Sequence, residues 1–313
     1  MSCKKSLRQL LSESEEIVMC PEIFDCSSAK CVELCGFQAI LLSSAEFSCS
    51  IMGNPDMGLI TLDDVAGATE RIAAFSPLPL VIDADDGFGK PINTYHACVR
   101  IARAGASGIL ITDLDAEGKI IPQEDAVKRF TAAHAALKDT DCMLIARCDV
   151  DPYKNLDEAC ARCNAYLEAG AEMTLLVELN KAPAEKKMEL CREISRRVPG
   201  WKMYPDLGSK DGKSDVDIDD LTPLGFKFVG IHYLMYAALE GMLDYGHHIF
   251  KDRNNTYFNK TLAPDPHFVC PCELFGLQDH YWQDIEMNWE KRPEDTISGK
   301  RSDFFCHMET HMK

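Results

Sequence analysis

The chain has 313 residues, 46% hydrophobic and 27% charged, the balance of an ordinary globular protein. Its formal net charge of −17 speaks against nucleic acid and anionic membrane, which need a basic face. It leaves an anionic metabolite open, because one arginine and a divalent cation can make a single pocket positive. No apolar run approaches the ~20 residues of a membrane span. The start, Met1-Ser2-Cys3-Lys4-Lys5, leads into a polar stretch at 9–16 rather than a signal-peptide core, so a cytoplasmic location is expected.

In chain order, short apolar runs alternate with amphipathic stretches. An apolar run at 17–24 precedes a helical pattern at 29–35, and 39–43 precedes 62–75. Next come the pairs 78–83 with 94–104, 108–112 with 124–137, and 143–147 with 156–169. The series closes with 173–177 and 184–198, 202–204 and 218–224, and 228–231 and 234–250. Continuous apolar strands separated by helices predict a parallel sheet covered on both faces. Eight such units in about 235 residues fit an α/β fold of the (β/α)8 TIM-barrel type, which takes about 250. An open doubly wound sheet is the runner-up, but the first strand ends in Asp25-Cys26-Ser27-Ser28 and not in a glycine-rich phosphate turn.

The expected organisation is a barrel over 1–258, a proline-bearing linker and C-terminal helix over 259–290, and a polar tail over 291–313. The helix, at 273–289, carries Leu274, Phe275, Leu277, Tyr281, Trp282, Ile285 and Trp289, a stripe that needs a surface to pack on. A neighbouring subunit is such a surface. The fifteen cysteines read as reduced thiols used mostly as apolar filler. Cys160-x-x-Cys163 lies in a helical pattern with no second pair at zinc-site spacing. Cys270-Pro271-Cys272 and the tail's Cys306, His307 and His311 are weaker metal or redox candidates than packing and solvated-terminus readings.

In such barrels chemistry sits at the carboxyl ends of the strands. Those ends carry Ser43-Ser44, Asp83 and Asp85, Thr112-Asp113, Arg147 and Asp149, Glu178, and Asp206. Val81-Ile82-Asp83 runs an apolar strand into an acid, and Asp85 comes two residues later. Two carboxylates so close repel unless a cation sits beside them. Mg²⁺, or Mn²⁺, suits them, since Mg²⁺ takes one or two carboxylates and completes its octahedron with water and substrate oxygens. An acidic surface loop is the bland alternative. Arg147 is placed to hold a substrate carboxylate with its planar fork, or else to pair structurally with Asp149.

At these residues the sequence resembles the isocitrate lyase/phosphoenolpyruvate mutase superfamily, most nearly short members such as 2-methylisocitrate lyase. The matching blocks are Gly36 to Ser43, Asn54-Pro55-Asp56-Met57-Gly58 through Val65, Val81 to Gly89, Ile145 to Asp149, and Ala165 to Met173. Glu273-Leu274-Phe275 and the helical pattern after them look like the family's terminal helix. The resemblance implies a barrel whose terminal helix is exchanged between subunits, usually in a dimer of dimers. It implies metal binding by Asp83 and Asp85, and a 2-oxo acid held by Ser43, Ser44, Ala45 and Arg147. It also places Asp56 in the active site and gives Asp56, Arg147 and Ser43 catalytic parts. Glu178 and Tyr204 are substrate-binding candidates by position.

The sequence also departs from that pattern. The fourth strand ends Ile111-Thr112-Asp113 where relatives have Ile-Glu-Asp. The mobile Lys-Lys/Arg-Cys-Gly-His loop that carries an acid in the carbon–carbon lyases is absent. Leu41 stands at the usual tyrosine, and Glu46 where a small residue is common. The expected function is a Mg²⁺-dependent lyase cleaving a C–C bond in an oxaloacetate-like or substituted malate-like acid. C–P chemistry of the phosphoenolpyruvate mutase or phosphonopyruvate hydrolase type is the alternative, with a non-catalytic barrel that binds a carboxylate after it.

Overall fold

The strands form because residues of period two meet two apolar environments. The computed structural model of the chain describes residues 5–210, 213–261 and Phe275. Its strands are β1 (Val18–Ile23), β2 (Ile40–Leu42), β3 (Leu80–Asp83), β4 (Gly108–Thr112), β5 (Met143–Cys148), β6 (Met173–Leu176), β7 (Trp201–Tyr204), a small hairpin of β8 (Ser209–Lys210) and β9 (Lys213–Ser214), and β10 (Phe226–Ile231). Eight of them close into a barrel in the order β1-β10-β7-β6-β5-β4-β3-β2. Every neighbouring pair is parallel. Closure through the β1–β10 pairing rules out the open-sheet alternative.

Alternation sorts the side chains into two layers. Val18, Cys20, Leu41, Val81, Leu110, Ile145, Leu175, Met203 and Phe228 form one buried cluster, the barrel interior. Ile23, Ile40, Leu42, Ile82, Ile109, Ile111, Leu144 and Val229 form a second with the surrounding helices. The helices are α2 (Cys26–Leu34), α4 (Leu62–Phe75), α5 (Pro91–Arg103), α6 (Gln123–Leu137), α7 (Leu156–Glu168), α8 (Ala184–Arg197), α9 (Ile218–Leu221) and α10 (Leu234–Asp252). α2 begins at Cys26, three residues before the sequence pattern suggests, because Asp25 and Ser28 close a reciprocal cap. Thr61 and Asp64 do the same for α4.

Two elements correct the sequence reading. The stretch at 9–16 is not a merely polar lead. Leu7–Glu13 forms a helix, α1, capped by Ser6, and Leu7, Leu10 and Leu11 at helical spacing are buried in the interior cluster. α1 seals the amino-terminal end of the barrel, where a side chain at Gly108 would meet Leu7 at 3.0 Å. The segment after β2 is also folded. Ser43 caps a short helix, α3 (Ser44–Phe47), which runs into a π-turn at Ser48–Met52.

The barrel belongs to a compact unit spanning Lys5–Tyr236, and the residues from Ala237 on belong to a second unit. That second unit holds most of α10 and a short helix α11 (Thr256–Thr261), where Tyr257 stacks on His248 and donates to Asp244. The expected helix at 273–289, the 291–313 tail and the cysteines at 270, 272 and 306 lie outside the described residues, apart from Phe275. The eleven described cysteines are free thiols, with Cys160 and Cys163 buried among the outer-layer residues. Among the described residues no helix is long and apolar enough to cross a membrane.

Candidate active site

The inward positions one step beyond the interior cluster make up the rim at the carboxyl ends of the strands. Asp83 succeeds Val81 inward on β3, and Arg147 succeeds Ile145 on β5. Ser44, at the start of α3, donates its hydroxyl to Asp83 Oδ2 at 3.1 Å, and the Asp85 amide donates to Asp83 Oδ1 at 3.3 Å. The turn is pinned to β4, since Ala84 N–H donates to the Leu110 carbonyl at 2.9 Å and Thr112 N–H to the Asp85 carbonyl at 2.9 Å. Asp85 itself has φ +45°, a left-handed conformation that a non-glycine residue adopts only when its surroundings impose it. Gly87, at φ +76°, lies so close to α5 that a Cβ would be 2.6 Å from the Thr94 hydroxyl. Glycine is required there to carry the turn under the site.

Burial, reinforced by the Asp85 charge, raises the Asp83 carboxyl well above the ordinary range against the pull of Arg147. Asp85 is raised first by burial, eased by the Ser44 hydroxyl, and raised again by Asp56. Asp56 is exposed, on the loop after the π-turn, yet close enough for its charge to act on Asp85. The two carboxylates are thus pressed together with too little positive charge nearby. That is what a divalent cation relieves, and it is the observation by which these residues fit one. Among the described residues no three His, Cys, Asp or Glu side chains converge into a cage. The arrangement is two carboxylates with open positions, as Mg²⁺ takes, rather than a closed structural site.

Arg147 is both an ion-pair partner and a candidate ligand. Nε approaches the two Asp149 oxygens at 3.2 and 3.1 Å, and Nη2 donates to Oδ1 at 2.7 Å, which leaves Nη1 outside the pair. Burial opposes its charge, but Asp149 and Asp83 outweigh that and hold the guanidinium firmly protonated. Thr112 donates its hydroxyl to Asp149. Asp113 points the other way, at zero exposure, and accepts from Tyr166 Oη at 2.6 Å, Arg162 at 3.3 Å and the Asp149 amide at 2.9 Å. It ties β4 to α7. Beyond it, Leu114 to Ile120 makes a tight turn closed by Asp115 N–H to the Lys119 carbonyl at 2.8 Å, and α6 starts at Gln123. The chain has no room for a long lid there.

Ser43 is buried and its hydroxyl accepts from Glu46 N–H at 3.4 Å, so its side chain serves α3, and Ala45 is half-buried on that same helix. Glu178 sits on the 3-10 turn Val177–Lys181 and pairs with Lys181 at 2.7 Å, on the residue after the inward Val177. Tyr204 is turned away from the barrel interior. It lies in the outer layer against Phe226, with ring centroids 6.0 Å apart, because Met203 holds the inward position on β7. The structure does not bring Tyr204 to the aspartates.

The rim also holds residues that motif reading passed over. Glu22 succeeds Val18 and Cys20 inward on β1, and His232 succeeds Phe228 and Gly230 inward past β10. His232 Nε2 is 2.8 Å from Glu22 Oε2 and its Nδ1 3.5 Å from Asp206 Oδ2, while its backbone N–H donates to Asp206 Oδ1 at 3.3 Å. Hydrogen bonds to Asp206 and Glu22 lift the imidazole to about 10. Gly230 makes this possible, since a Cβ there would stand 2.7 Å from the Pro205 carbonyl and 3.2 Å from Glu22 Oε1. Glu46, on α3, is buried, and its Oε2 has no hydrogen-bond partner among the described residues. Burial and then Glu22 raise its carboxyl to about 7, with His232 opposing. Period two along 18, 20, 22 and along 228, 230, 232 was the available signal.

The fold and the rim together define a closed parallel barrel with paired acids and an arginine at its carboxyl end. The model of the phosphoenolpyruvate phosphomutase family matches residues 7–249, and the chain belongs to that family, within the isocitrate lyase/phosphoenolpyruvate mutase superfamily. Lyases and a phosphorylmutase are among the relatives it matches. It is 32% identical to the petal death protein of Dianthus caryophyllus over 75% of this chain and 72% of that one. It is 33% identical to a 2-methylisocitrate lyase of Aeropyrum pernix over 71% of each. In fold it resembles phosphonopyruvate hydrolase, solved in complex with oxalate and Mg²⁺, with a TM-score of 0.77 at 24% identity over 93% of this chain and all of that one.

Proposed function

We propose that the protein is a divalent-metal-dependent lyase that cleaves a C–C bond in a small oxaloacetate-like or substituted malate-like 2-oxo or 2-hydroxy acid. The observation that carries this is the Asp83–Asp85 pair, half-buried, mutually repelling and set beside Arg147 on the inner rim. Asp83 and Asp85 would hold a Mg²⁺ or Mn²⁺ ion, which would supply positive charge to stabilise the electrons left when a bond beside a carbonyl breaks. Arg147 offers Nη1 to a substrate carboxylate while Asp149 fixes its plane. Ser44 orients Asp83, and Asp56 adds negative charge from the loop. The tight Leu114–Ile120 turn favours decarboxylation over a retro-aldol step that needs a lid-borne acid.

Two measurements test this reading. Oxalate binding by calorimetry should require Mg²⁺. The protein with Mg²⁺ should then release pyruvate from oxaloacetate, 2-methylisocitrate or dimethylmalate, and not phosphate from phosphonopyruvate. Oxalate binding that ignores Mg²⁺, together with no turnover of any of the four, would remove the lyase reading.

A further inference from the structure

The mouth holds a second set of ionisable groups that the metal reading leaves unused, and it lies on the β1, β10 and β7 side. β1 and β10 are neighbours with Pro21 opposite Ile231, so the next residues, Glu22 and His232, stand side by side on the inner rim. Both nitrogens of His232 face carboxylates, Glu22 at 2.8 Å and Asp206 at 3.5 Å, so both carry protons. Its side chain is 38% exposed, open to water, whereas Glu22 is only 10% exposed and lies deeper. Glu22 takes the inward position after Val18 and Cys20 on β1, near enough to Asp83 and Glu46 for its charge to act on both. A solvent-open imidazolium behind a buried carboxylate that faces a reaction space is the geometry of a proton relay.

We propose that Glu22, backed by His232 and Asp206, delivers the proton taken up by the carbanionic carbon after bond cleavage, and this rests on the lyase reading above. The His232 Nε2–H bond breaks as its proton passes to Glu22. The Glu22 O–H bond then breaks as the enolate's electron pair forms the new C–H bond. His232 recovers a proton from water at its exposed edge, Asp206 holding the ring meanwhile. One proton is drawn from solvent per turnover, with no oxidant or reductant. The charged groups facing His232 are Glu22 from β1, Asp206 from the end of β7 and Glu46 from α3. Glu46, raised to about 7, is about half protonated in neutral solution and so partly spares Glu22 a second adjacent negative charge.

The experiment monitors exchange of pyruvate methyl protons with D2O by NMR, at saturating Mg²⁺, beside oxalate calorimetry on the same samples. Wild type should exchange. Glu22→Gln and His232→Gln should bind oxalate with Mg²⁺ yet exchange at least about 100-fold more slowly, the usual scale of a positioned acid or base. Equal exchange by the variants overturns the relay and leaves the metal site standing. So does a wild type that binds oxalate with Mg²⁺ but does not exchange. Failure of wild type to bind oxalate removes the lyase reading and the relay with it. In the metal-free protein the His232 ring should stay doubly protonated to about pH 10 and fall in Glu22→Gln. A ring that titrates near 6.5 in wild type contradicts the relay independently of any turnover.

Discussion

Across the barrel mouth, β2 to β5 present Ser44, Asp83, Asp85 and Arg147, while β1, β7 and β10 present Glu22, Asp206 and His232. Both sides cluster carboxylates around one cation, and they differ in how the charge closes. Arg147 is engaged by Asp149 and only partly offsets Asp83 and Asp85, so the pair keeps a surplus of negative charge that favours a proton or a further cation. His232 lies between its two acids and largely closes that side internally. On the proposed reading the first side binds a cation and the second holds a proton. Similar residue types give different chemistry because the partners of each acid differ.

The largest expected effect tests the binding side. Asp83→Ala should weaken Mg²⁺-dependent oxalate binding by about 1,000-fold, several kcal/mol at roughly 1.4 kcal/mol per tenfold, read by calorimetry. If binding survives, the surplus charge at Asp83 is not what holds the ion.

Next, Gly230→Ala should break the proton-holding side while sparing the other. The new methyl meets the Pro205 carbonyl and Glu22, an overpacking that costs about 1–3 kcal/mol in denaturant unfolding. It should also displace Glu22 from His232 and lower the ring's pKa by NMR.

The pH dependence of stability separates the two sides with a smaller signal. His232 is raised in the fold, so its contribution is complete below 6.5 and is lost as pH climbs through about 10. The stability gap between wild type and His232→Gln should shrink over that window. Glu46 is likewise raised, from 4.5 to about 7, so wild type should lose stability relative to Glu46→Gln as pH rises across that interval and hold level above it. Thermal unfolding at fixed ionic strength reads both, and a wild type that gains stability relative to either variant as pH rises contradicts the stated direction.

The smallest effect marks the edge of the site. Tyr204→Phe removes a buried hydroxyl that has no partner among the described residues, and should change stability by no more than about 1 kcal/mol and leave oxalate binding unaltered.

The binding side could be read from the sequence because its signals are local. Asp83 closes an apolar strand, Asp85 is two residues on, and glycines at 87 and 89 permit the turn. Arg147 is likewise the polar end of Leu144-Ile145-Ala146. The proton-holding side could not be read the same way. Glu22 looks like one polar residue in an apolar strand, and His232 comes 210 positions later, just past another. Nothing in either segment announces the other.

The barrel was already specified by the residue pattern, since eight apolar runs alternating with amphipathic stretches have few other ways to bury both faces of each strand. The acidic turn at Asp83 and Asp85 was legible too, because its signals are local. Which side of each strand end meets the mouth was left to the assembled fold. Closure turned Tyr204 outward and Thr112 toward Asp149, and it set β1 beside β10 so that Glu22 and His232 touch. Closure is a property of all the strands together, and no single segment's periodicity contains it.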